Sequence, residues 1–163
     1  MNYGKANLTF YIFEGLLTGT LNGNHVNIFA YSGGGGMSKK RITDPSVVNS
    51  PYHTGKKQDY SGRENASTEK RGGPIPPGRY RIGKPVPWGQ SKKAVLEPIG
   101  GTIHTLAAFN RGGFLIHGQG ILGSDGCIVP TSADAFRKLI EGLEADGGGI
   151  LWVCESLGGD RFA

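Results

Sequence analysis

Between residues 8 and 31 apolar and polar side chains alternate in short runs, at 8–13, 16–21 and 25–31, separated by Glu14-Gly15 and Asn22-Gly23-Asn24. A period of two sends successive side chains to opposite faces of a sheet. Asn22-Gly23 between two such runs is a hairpin signal, because a type I′ turn needs positive φ at both central residues. The chain therefore opens as a β-meander.

Glycine supplies 29 of the 163 residues, more than twice its usual share of about 7%. Much of the backbone is thus committed to turns, bulges and close approaches rather than to helix. Further strand signals follow at 79–82, after the rigid Gly-Pro-Ile-Pro-Pro-Gly approach, and at 94–96, 102–106 and 114–117. The one clear helix comes late. Thr131-Ser132-Ala133-Asp134 has the form of a capping box, and Phe136, Leu139, Ile140 and Leu143 recur at i, i+3, i+4 and i+7. Gly147-Gly148-Gly149 ends it, and 150–154 reads as a buried strand with Cys154 in the core. The expected fold is mainly β, a β-rich α+β architecture. The 163 residues form a single domain, and residues 32–73, poor in large apolar side chains, form a long loop or lid-like insertion.

A net charge of +5 favours anionic partners. No RNP motif or basic helix with base-reading residues is present, so nucleic acid is not expected among them. No run approaches the roughly 20 apolar residues of a membrane span. The opening MNYGKANLTFYIFEG lacks a basic region followed by an apolar one, which implies synthesis in the cytoplasm without a Sec signal. Two cysteines, Cys127 and Cys154, are too few for a disulfide scaffold. Nothing demands more than a monomer.

The stretch FLIHGQGILGSDGCIVP, residues 114–130, carries the chemistry. His117 ends an apolar strand and Cys127 lies in a tight turn after Gly126, so each taken alone reads as a structural residue. Together in one Gly-rich loop they suit thiol acyl transfer, in which a base must raise the thiolate and backbone N–H groups, here of Gly126 and Cys127, can receive an oxyanion. A metal site drawn from His117, Asp125, Cys127 and His104 has no CxxC, HxH or HExxH spacing behind it. Neither a metal nor another cofactor is expected.

This stretch resembles the catalytic signature of the L,D-transpeptidase domain of bacterial cell-wall enzymes: His-Gly, a variable loop, then Ser/Thr-His-Gly-Cys, an apolar residue and Arg or Asn. The matching residues are His117-Gly118, Ser124, Gly126, Cys127 and Ile128, with histidine before cysteine. The segment GPIPPGRYRI is similar to the family's Thr-Pro-x-Gly-x-Phe/Tyr strand. The helix, Gly turn and final strand come in the same order, so the resemblance covers most of residues 7–155. Asp125 stands where a second histidine is usual, Val129 where Arg or Asn is usual, and the loop between His117 and Cys127 is short. In these respects the chain is similar to a divergent branch, the antibacterial effectors of type VI secretion.

The resemblance implies an L,D-transpeptidase-like β-sandwich with one principal C-terminal helix packed on the sheet. It also implies an L,D-carboxypeptidase or D-amino-acid-exchanging L,D-transpeptidase. Such an enzyme cleaves the meso-diaminopimelate–D-Ala bond of peptidoglycan tetrapeptide stems through a Cys127 thioester, with His117 as base and Gly126, Ser124 and Gly118 supporting the turn. Its site of action is a target cell's periplasm, and its partners are the stem peptides, a cognate immunity protein and a component of the secretion apparatus. A backbone carbonyl, Ser124 and His104 are open candidates for orienting His117. Asp125 either binds the substrate's ammonium or caps the turn. Arg79, Arg81 and Arg111 are candidate carboxylate ligands by charge, and His104 is a further substrate-binding candidate. Two alternatives are a harmless housekeeping enzyme of wall remodelling and an inactive peptidoglycan-binding module.

Overall fold

The structure, a computed structural model, describes residues 3–34, 46–55, 72–102, 111–118 and 126–158. Most of the expected insertion, residues 35–45 and 56–71, lies outside the described residues, as does the strand signal beyond Thr102. The meander is built as its alternation demands. Strands β1 (Ala6–Tyr11), β2 (Leu16–Leu21) and β3 (Asn24–Tyr31) pair antiparallel in order. Asn22 (φ 49°) and Gly23 (φ 77°) supply the two positive dihedrals of a type I′ turn.

The later strands are β4 (Gly78–Ile82), β5 (Val86–Trp88), β6 (Ser91–Pro98), β7 (Phe114–His117), β8 (Val129–Pro130) and β9 (Gly149–Cys154). β9 enters between β1, which it meets in parallel, and β4, which it meets antiparallel. The sequence of neighbours is then β8, β3, β2, β1, β9, β4, β6, β7, with β5 also on β6. Ile116 of β7 forms a parallel bridge with Ile128, the residue just before β8. His117 N–H donates to the Ile128 carbonyl (3.2 Å) and Ile128 N–H to that of Leu115 (2.9 Å). The sheet thus curls until its two ends meet.

Among the described residues the one α-helix, α1 (Ala133–Asp146), packs with one face on the sheet. Ser132 caps it, its hydroxyl accepting from Ala135 N–H at 3.1 Å, and Gly147 (φ 71°) closes it in the left-handed conformation. Asp134 does not complete a capping box. Its carboxylate bonds Arg137 and Lys138 one turn on, at 2.5 and 3.3 Å. Leu139, Ile140 and Leu143 are buried against the sheet, each such side chain contributing about 2 kcal/mol. A Cβ on Gly142 would stand 2.5 Å from Leu21 Cγ, so this helix face lies close on β2. The core joins Leu139 and Leu143 to Leu8, Phe10, Leu17, Tyr80, Ile82, Ile116, Ile128 and Leu151, all without exposed surface. The fold is mainly β with one helix on the sheet.

Cys154 departs from its expected core position. Leu151 and Val153 take the inward positions of β9, which leaves Cys154 half-buried on the outer face opposite Tyr11. Among the described residues no helix is long and apolar enough to cross a membrane.

A candidate active site at the seam of the sheet

The seam joins the two chain segments that carry the residues singled out from sequence. Ile116 and Ile128 bridge each other and both point into the core with no exposure. Alternation sends their neighbours His117 and Cys127 to the opposite, outer face. In that register Cys127 lies beside Leu115, one diagonal step from His117, which separates the two Cα atoms by about 8 Å in ideal parallel geometry. Both side chains are half-buried.

The His117 ring is oriented by its own backbone. Its Nδ1 stands 3.1 Å from the Gly118 carbonyl oxygen. A carbonyl only accepts, so Nδ1 is the donor, and the neutral ring carries its lone pair on Nε2. Of the three candidate orienting groups, the structure brings a backbone carbonyl to His117; Ser124 and His104 lie outside the described residues. Gly118 matters sterically as well. A Cβ there would lie 2.7 Å from the Phe136 ring, which packs on the strand end and holds the start of α1 against it.

On the other side Trp88 of β5 tilts against His117, with centroids 5.1 Å apart and planes at 57°. Burial holds the His117 pKa below its ordinary 6.5, partly opposed by the Gly118 hydrogen bond. The imidazole is therefore neutral, and able to accept a proton, at neutral pH. For a reaction in which His117 serves as general base, the acid limb of kcat/KM is expected to fall below pH 6.5, since activity would be lost only as His117 protonates. Trp88→Ala should move that limb upward by hydrating the ring, and an unmoved limb in a pH–rate profile would count against His117 as the base.

The turn carrying Cys127 is held from beneath. Gly126 adopts φ +119°, and its carbonyl accepts from the Ser32 hydroxyl at 3.1 Å. Ser32 is fully buried, and its oxygen also accepts from Ile75 N–H at 2.9 Å. Since the peptide is planar and trans, fixing the Gly126 carbonyl also fixes the Cys127 N–H, which runs antiparallel to it. A Cβ on Gly126 would meet Phe114 Cε1 at 2.5 Å and Arg111 Nη2 at 2.7 Å. Gly126→Ala is accordingly expected to cost about 2–4 kcal/mol, read by denaturant unfolding, through both backbone strain and overpacking.

The arginines divide. Arg111 is buried, and Nη1 donates to the carbonyls of Thr54 and Pro74 (2.7 Å to the latter) while Nη2 donates to Gly73 (2.7 Å). Its guanidinium lies 5.2 Å from the Phe114 centroid. It ties residues 54 and 73–74 to the strand beneath the Cys127 turn. Arg79 and Arg81 share the outer face but lie on β4, beyond β6 from His117 and toward its opposite end. Arg79 covers Trp152 at 5.3 Å, and Arg81 stands 4.0 Å from Glu97. Asp125, like Ser124 and His104, lies outside the described residues.

Sequence reasoning missed Ser32, Trp88 and Lys93. Lys93 pairs with His117 across β6 and β7, and its ammonium lies 5.8 Å from the Trp88 ring. Among the described residues no group of three His, Cys, Asp or Glu side chains is placed to hold a metal ion. No family model, curated protein or solved structure matches the chain.

Proposed function

We propose that the protein is a thiol acyl-transfer enzyme of the bacterial cell wall, an L,D-carboxypeptidase or L,D-transpeptidase acting on peptidoglycan tetrapeptide stems. The observation that carries this reading is the Ile116–Ile128 bridge, whose register gives His117 and Cys127 a common face. The Nδ1–H donation to Gly118 adds to it by leaving Nε2 as the basic nitrogen.

His117 Nε2 takes the thiol proton and the Cys127 sulfur attacks the carbonyl carbon at the L-centre of diaminopimelate. Negative charge gathers on that oxygen, where backbone N–H groups of the Gly126–Cys127 turn stabilise it. The intermediate collapses to a thioester as the C–N bond breaks, and the imidazolium gives its proton to the departing amine of D-alanine. Water then attacks the thioester to leave a tripeptide stem, or a D-amino acid attacks it and is exchanged. Resemblance to type VI effectors supports delivery into a rival's periplasm, with an immunity protein to protect the producer.

The test is incubation of purified protein with tetrapeptide muropeptides. The expected result is loss of one alanine residue from the stem and, on rapid acid quench, a mass adduct at Cys127. Unchanged muropeptides together with an unmodified Cys127 would overturn the assignment.

A further inference from the structure

We propose that Lys93 and Trp88 form an anion subsite beside His117 that receives the carboxylate ending the substrate stem. This inference rests on the function proposed above, whose leaving group carries a free α-carboxylate next to the bond that breaks.

Three observations converge. First, Lys93 and His117 are directly paired across β6 and β7 on the outer face, so their side chains rise side by side. Second, Trp88 neighbours both, with its ring 5.1 Å from the imidazole and 5.8 Å from the Lys93 ammonium, and it is 43% exposed. An open depression of about 550 Å³ adjoins it, lined by Trp88, Gly89, Gln90, Ser91 and Gly118. Third, among the described residues no carboxylate lies within ion-pair distance of Lys93, whereas Lys92 is 2.8 Å from Glu144 and Arg81 is 4.0 Å from Glu97.

The chemistry gives this cation a use. Proton transfer from the thiol makes His117 an imidazolium beside an existing ammonium, an arrangement that like-charge repulsion disfavours. A substrate carboxylate seated between them reverses that term. The same contact orients the terminal D-amino acid so that its amide nitrogen faces the imidazolium that must protonate it. The ammonium thus selects for stems that end in a free acid.

The subsite can be read by binding, independently of turnover, on the intact chain carrying Cys127→Ala. The probes are the tetrapeptide stem and its C-terminal amide, titrated calorimetrically. The acid is expected to bind about 10- to 100-fold more tightly than the amide. Adding Lys93→Met should erase that difference, and Lys93→Arg should keep most of it. Lys92→Met removes the same charge one residue away on the opposite face and should leave the preference intact. Equal binding of acid and amide, or a preference that survives Lys93→Met, would overturn the subsite. Preference as expected, with no cleavage by the unmutated protein, would support the subsite and overturn the proposed acyl transfer instead.

Discussion

Cys127→Ala is expected to lower the rate of stem trimming by at least about 10³-fold while leaving the fold intact. The reasons are chemical on one side and structural on the other. Without sulfur no thioester can form, and the neutral His117 can only assist direct attack by water on an amide, a far poorer route. Cys127 is half-buried on the outer face and is not part of the hydrophobic core, so losing one sulfur atom removes little packing. The loss should therefore appear in kcat at an unchanged melting temperature, with substrate binding retained. Liquid chromatography of digested sacculi measures it directly. Trimming by Cys127→Ala at the normal rate would end the thiol mechanism.

Arg111→Leu is expected to act the other way, on stability. The substitution leaves the carbonyls of Thr54, Gly73 and Pro74 without their donor, in a setting where Arg111 itself is only 9% exposed. Each orphaned buried acceptor costs about 1–3 kcal/mol, and the contact with Phe114 is lost as well. A total of about 3–5 kcal/mol corresponds to a fall in Tm of roughly 10 °C for a chain this size. Lysine cannot mend it, since a single ammonium cannot reproduce the planar fork that spans three carbonyls. Were Arg111 a carboxylate ligand, Arg111→Leu would raise KM at an unchanged Tm. A thermal melt paired with saturation kinetics separates the two roles.

What could be read from sequence follows the range over which the forces act. The Asn22-Gly23 hairpin and the Gly147 stop are decided within a few residues and are found where the chain places them, while the helix start lies one residue on from the expected capping box, with Ser132 rather than Thr131 as the cap. The Leu139–Leu143 stripe is also in place, because a helix's apolar period is written along its own length. The parallel pairing of β1 with β9 joins residues more than 140 positions apart and leaves no local trace. β5 is short, with Pro87 at its centre and all three residues exposed, so neither alternation nor burial marks it. Lys92 and Lys93 look like one charge run, yet a period of two puts the first against α1 and the second beside His117. Charge alone likewise singled out three arginines, while position gave them three different occupations. A common face for His117 and Cys127 left only a local hint in the sequence, since it depends on a single bridge between segments that otherwise pair with different strands, β7 with β6 and β8 with β3.

That bridge gives the proposed chemistry a switch of its own. Imidazole and thiol belong to opposite ends of one sheet, and two backbone hydrogen bonds at Ile128 hold those ends together. Parting the seam would bare Ile116 and Ile128 but leave the rest of the core that Leu8, Tyr80 and Leu143 share, so such a local opening costs less than global unfolding. A molecule in such a breathing state keeps its strands, its helix and most of its stability, yet its base and nucleophile have parted. Heat inactivation would then run ahead of melting, and any protein that clasped the outer face across β7 and β8 would govern how much of the population is competent to react.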